Sequence, residues 1–76
     1  MPKLPVVSGP KVVRALRKAG FVVDHTTGSH VILRHPTTQR RAVVPGHGGR
    51  DLRKGTLDGI LEDAGLTVEE FTELLK

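Results

Sequence analysis

At 76 residues the chain is long enough for one small domain and one core, with no room for a second. The absence of cysteine excludes a disulfide framework and a cysteine-based zinc site. A net charge of +4, an N-terminus without a long apolar stretch and no run near the roughly 18 apolar residues of a membrane span lead us to expect a soluble, unprocessed, cytoplasmic protein.

Ser8 is placed as an N-cap, with Pro10 in the first turn where its missing N–H costs nothing. Val12, Val13, Leu16 and Ala19 then recur at helical spacing, while Lys11, Arg14, Arg17 and Lys18 fall elsewhere on the wheel. Gly20 ends this helix as a left-handed C′ residue. Phe21-Val22-Val23 opens a strand running to about Thr26, and Thr27-Gly28-Ser29 turns the chain into a second strand from His30 to His35. Pro36-Thr37-Thr38-Gln39 makes the next turn, and a third strand covers Arg40 to Val44. Pro45-Gly46-His47-Gly48-Gly49 predicts a flexible loop. Leu52, Leu57, Ile60, Leu61 and Ala64 carry a helical period that stops at Gly65. Thr67-Val68-Glu69-Glu70 is a capping box opening a short last helix with Phe71, Leu74 and Leu75. The order α-β-β-β-α, with an extra terminal helix, is an α+β fold. Its three-stranded antiparallel sheet carries helices on one face and leaves the other open.

Strands alternate faces, so in His30-Val31-Ile32-Leu33-Arg34 the side chains of Val31 and Leu33 are expected toward the helices. His30, Ile32 and Arg34 then point outward, which sets a histidine beside a fixed cation on an accessible face. Charge strengthens the point. Through Arg50 there are nine Lys/Arg against the single acid Asp24, a local net of +8, whereas Asp51 onward carries −4. A basic body with an acidic tail favours a polyanion.

The combination points to acid–base chemistry on a phosphodiester, with RNA as the natural substrate. Histidine, with its unperturbed pKa near about 6.5, is usefully neutral and usefully charged at cellular pH. His30 is therefore expected to take the 2′-hydroxyl proton as general base, or to act as general acid in the alternative assignment. Arg34 offers a guanidinium for bidentate phosphate pairing, and Lys11 and Arg41 supply further phosphate contacts. Ser29 either hydrogen-bonds a phosphate or closes the turn, and Gly28 permits a positive φ there. With two aromatics in the whole chain, base stacking is excluded as the main mode of contact. Backbone and shape recognition with a steep salt dependence is expected instead. The four histidines show no metal-ligand spacing and no dinucleotide fingerprint is present, so neither metal nor cofactor is expected. His25 and His35 read as surface strand residues.

The ordered stretches Leu16-Arg17-Lys18-Ala19-Gly20-Phe21, Gly28-Ser29-His30, Val43-Val44-Pro45-Gly46-His47, Asp51-Leu52-Arg53-Lys54-Gly55-Thr56-Leu57, Ile60-Leu61-Glu62-Asp63-Ala64-Gly65-Leu66 and Glu69-Glu70-Phe71 resemble the HicA family. These are small toxin ribonucleases of type II toxin–antitoxin pairs. The resemblance runs from about Ser8 to Leu75 and treats residues 1–76 as a single domain. It implies a double-stranded-RNA-binding-domain-like fold, metal-independent cleavage of mRNA, and neutralisation by a HicB-type antitoxin. It also implies that the catalytic histidine is His30. His47 matches a family histidine position without inheriting that role. One departure stands out: similar proteins commonly carry a basic residue just before Gly-Ser-His, where this chain reads Asp24-His25-Thr26-Thr27. The alternative to a ribonuclease is a non-catalytic RNA-binding module of the same fold. A third reading is a purely structural partner domain.

Overall fold

The computed structural model describes residues 3–46 and 49–76; the expected roles of His47 and Gly48 lie outside the described residues. Helix α1 (Gly9–Lys18) starts from Ser8 in an extended conformation, with proline in its first turn as expected. Ser8 makes no side-chain cap. Instead it forms an isolated antiparallel bridge with Asp51, tying the N-terminal segment to the chain just before the second helix. Gly9 is buried against the sheet, where a Cβ would come within 2.8 Å of the Pro45 carbonyl oxygen. Only glycine lets the helix start this close to the strand. The helix closes at Ala19, followed by Gly20 at φ 104°, the expected left-handed residue.

Strands β1 (Val22–Thr27), β2 (His30–Arg34) and β3 (Arg41–Pro45) form one antiparallel sheet in the order β1-β2-β3. Helices α2 (Lys54–Ala64) and α3 (Val68–Leu74) complete an α-β-β-β-α-α sequence of elements. The core lies between sheet and helices. Val12, Ala15 and Leu16 of α1 meet Leu33, Ala42 and Val44 of the sheet, Leu57, Ile60, Leu61 and Ala64 of α2, and Phe71 of α3. Helix α2 stops at Gly65 in the left-handed region (φ 74°). The Arg40 guanidinium donates to the Asp63 carbonyl there at 3.3 Å, placing a cation at the negative end of the helix.

Helix α3 carries the expected capping box. The Thr67 hydroxyl accepts from the Glu70 N–H at 3.1 Å, and the Glu70 carboxylate accepts from the Thr67 N–H at 2.9 Å. Thr67→Ala removes one of these bonds and is expected to cost about 1 kcal/mol. In a chain this short that corresponds to a fall in Tm of about 4–8 °C by circular dichroism.

Three expectations are corrected. The second strand ends at Arg34, and His35 is a half-buried turn residue rather than a surface strand residue. Its Nδ1 accepts the N–H groups of Thr37 and Thr38, each at 3.2 Å, and its ring meets Phe21 edge-on at 5.1 Å. The Pro36–Gln39 turn is thus built around an imidazole. Pro45 and Gly46, expected in a loose loop, are held to the sheet: Pro45 ends β3, and the Gly46 N–H donates to the Ser29 carbonyl. Arg40, placed at the start of the third strand, precedes it and caps α2 instead.

Candidate active site

The ladder register fixes which side chains share the open face. β2 pairs with β3 as His30↔Pro45, Ile32↔Val43 and Arg34↔Arg41, alternating with Val31↔Val44 and Leu33↔Ala42. Leu33, Ala42 and Val44 are core residues, so His30, Ile32 and Arg34 with their β3 partners face away from the helices, as the alternation predicted. On the β1 side, Thr27↔His30, His25↔Ile32 and Val22↔Arg34 complete a three-by-three lattice on that face.

His30 begins β2, exposed, immediately after the Thr27–His30 hairpin turn. Gly28 holds φ 45° there, with open space where a Cβ would be, so its contribution is the backbone conformation of the turn. The Ser29 hydroxyl lies 3.3 Å from Nδ1 of the exposed His30 ring. The Gly46 N–H on the Ser29 carbonyl ties the end of β3 to the same turn, and a Cβ on Gly46 would stand 2.9 Å from that oxygen. The histidine therefore sits on a turn braced from two sides.

At the other end of the central strand, Arg34 and Arg41 are cross-strand partners, and directly opposed like charges repel. The Arg34 guanidinium donates to the Gln39 side-chain oxygen, and the Gln39 amide donates to the Pro36 carbonyl at 3.0 Å. Gln39 takes φ 64°, a left-handed residue that sequence inspection passed over. Among the described residues neither arginine forms a salt bridge. The pair concentrates positive charge at this end of the sheet.

Ile32 separates the histidine end from the arginine end. It faces the open side yet is only 6% exposed and does not belong to the main core. Its β3 partner Val43 is 43% exposed, so the lattice has a small apolar centre. Lys11, the remaining expected RNA contact, is elsewhere. It lines a groove between α1 and α3 with Arg14, Lys18 and Lys76, in the helical layer behind the sheet. Gly28, Ser29, His30, Arg34 and Arg41 are thus brought to one side of the molecule, and Lys11 is not. Among the described residues, no three of His, Cys, Asp and Glu converge as metal ligands. No helix among them is long and apolar enough to cross a membrane.

Fold and site define a small α+β protein whose open sheet face presents a histidine and paired arginines. A family model described as the HicA toxin of bacterial toxin–antitoxin systems matches residues 9–66, from the first residue of α1 to just beyond α2. The chain belongs to the HicA toxin family. A search of curated proteins found no match.

Proposed function

We propose that this toxin is a metal-independent endoribonuclease that cleaves mRNA by histidine acid–base catalysis at His30 and is held in check by a HicB-type antitoxin in the cytoplasm. The observation that carries the reading is the position of His30: exposed, braced by Ser29 and Gly46, and on the same sheet face as Arg34 and Arg41. Arg34 lies four positions beyond His30 along the strand, about 13 Å away. That span lets the arginine pair hold a phosphate upstream or downstream of the one at which the histidine works. The chemistry is transesterification. The base removes the 2′-hydroxyl proton, the oxygen attacks phosphorus, and the 5′-oxygen departs. Gly28 and Ser29 shape the turn at the reacting phosphate, and Lys11 contributes a more distant contact from the helical layer.

A partner that silences this activity must cover a positively charged face, which calls for an acidic surface. Expression of the chain in bacterial cells is expected to arrest growth with fragmentation of mRNA, and His30→Ala is expected to relieve both. Growth arrest with intact mRNA would refute the reading. In the purified protein, Arg34→Ala and Arg41→Ala should each reduce the slope of log affinity for single-stranded RNA against log salt by about 0.7. Unchanged slopes would remove the arginine pair from the interface.

A further inference from the structure

Transesterification needs two proton transfers, and His30 accounts for one. We infer that His25, held by Asp24, is the second: the general acid that protonates the departing 5′-oxygen. The inference rests on the ribonuclease reading and adds a residue to it.

The observation behind it is a β-bulge. Val23 pairs with Leu33, but the next pair is His25 with Ile32, leaving Asp24 as the extra residue. Leu33 is fully buried under the helices, so without the extra residue Asp24 would oppose Ile32 and His25 would fall on the helix side. The bulge rotates His25 onto the open face, where Thr27 pairs with His30. His25 and His30 become diagonal neighbours across two adjacent strands, a separation of about 7–8 Å between backbone positions. One phosphate fits between two imidazoles so placed.

The two rings are also prepared in the same manner. The Asp24 carboxylate lies 3.0 Å from His25 Nδ1, as the Ser29 hydroxyl lies beside His30 Nδ1. A carboxylate only accepts, so it demands a proton on Nδ1, and Nε2 is the nitrogen that would carry the transferable proton. The His25 side chain is 49% exposed, within reach of a ligand on the face. The titratable and charged groups around it are Asp24 beside it on β1 and, diagonally on β2, His30 and Arg34. Among the described residues His25 has an anionic partner and His30 has none, which distinguishes the two rings. In the step itself, His30 takes the 2′-hydroxyl proton as the 2′-oxygen–phosphorus bond forms. The phosphorus–5′-oxygen bond breaks and His25 gives its proton to that oxygen. The products are a 2′,3′-cyclic phosphate and a 5′-hydroxyl, and solvent exchange resets both rings.

The test uses the full chain and two dinucleotide-junction RNAs, one with the ordinary linkage and one whose 5′-bridging oxygen is sulfur. A thiolate leaves without general acid help. His25→Ala is expected to cut the ordinary linkage at least about 100-fold slower than wild type and the sulfur linkage at close to the wild-type rate. His30→Ala should be slow on both. Asp24→Asn, a change to a positioning residue, should show the His25 pattern in weaker form. Wild-type rates for His25→Ala on the ordinary linkage would overturn the assignment. So would an equal loss on both linkages, which marks a role in binding or structure. A wild-type protein that cuts neither linkage would overturn the ribonuclease reading itself, and this assignment with it.

Discussion

His30→Ala is expected to lower the rate of RNA cleavage by about 10²–10⁴-fold, the usual worth of a positioned proton-transfer group. The fold should not change. His30 is exposed, and its Nδ1 contact is a 3.3 Å approach to a neighbouring hydroxyl at a surface turn. Truncation opens no cavity and strands no buried polar group, so the thermal melt should stay near that of wild type. RNA affinity should also persist, because Arg34 and Arg41 keep their places at the far end of β2. A variant that binds but does not cut separates chemistry from docking. A variant that still cuts at the wild-type rate would move the reaction to other residues.

Phe71→Ala is expected to have the largest effect on stability. Phe71 is 0% exposed and is the bulkiest fully buried side chain among the described residues, although it belongs to the short third helix. It belongs to the core cluster shared with α1, α2 and the sheet. Removing a buried phenylalanine costs about 3–5 kcal/mol. Folded chains have roughly 0.05–0.15 kcal/mol per residue in hand, so this loss takes much of the total for a domain of this size. The melting temperature should fall by more than about 12 °C, or the protein should be recovered unfolded. A melt within a few degrees of wild type would mean that α3 is an appendage rather than part of the core.

Much of the architecture was legible because local signals agreed with one another. Gly20 and Gly65 mark helix ends through a backbone conformation that other residues resist, and both take positive φ. The Thr67–Glu70 pair announces the last helix and closes both its hydrogen bonds. The alternation in His30–Arg34 separates Leu33 from His30 and Arg34, as observed. Ile32 exposes the limit of that rule. Period two assigns a face but not an accessibility, and Ile32 is shielded on the open side of the sheet.

The bulge was not legible at all. Val22-Val23-Asp24-His25-Thr26-Thr27 has no glycine or proline to mark an extra residue, and the register depends on pairing with β2. His25 consequently read as a surface residue of no particular direction, when its direction is what joins it to His30. His35 was hidden for a related reason. Its role depends on Thr37 and Thr38 folding back to its ring and on Phe21 across the turn, contacts that no periodicity encodes. Lys11 marks a further limit, since basic charge on a helix gives no indication of which layer of the fold the helix will occupy.

The open face of this toxin is proposed to cut RNA with its own side chains. The most direct test incubates the purified chain with a long RNA in EDTA at low salt, beside His30→Ala, and follows fragmentation on a denaturing gel. Fragmentation by the wild type alone is the predicted result. Intact RNA with both proteins, retarded on a native gel, would contradict the account and identify a module that binds RNA without cutting it.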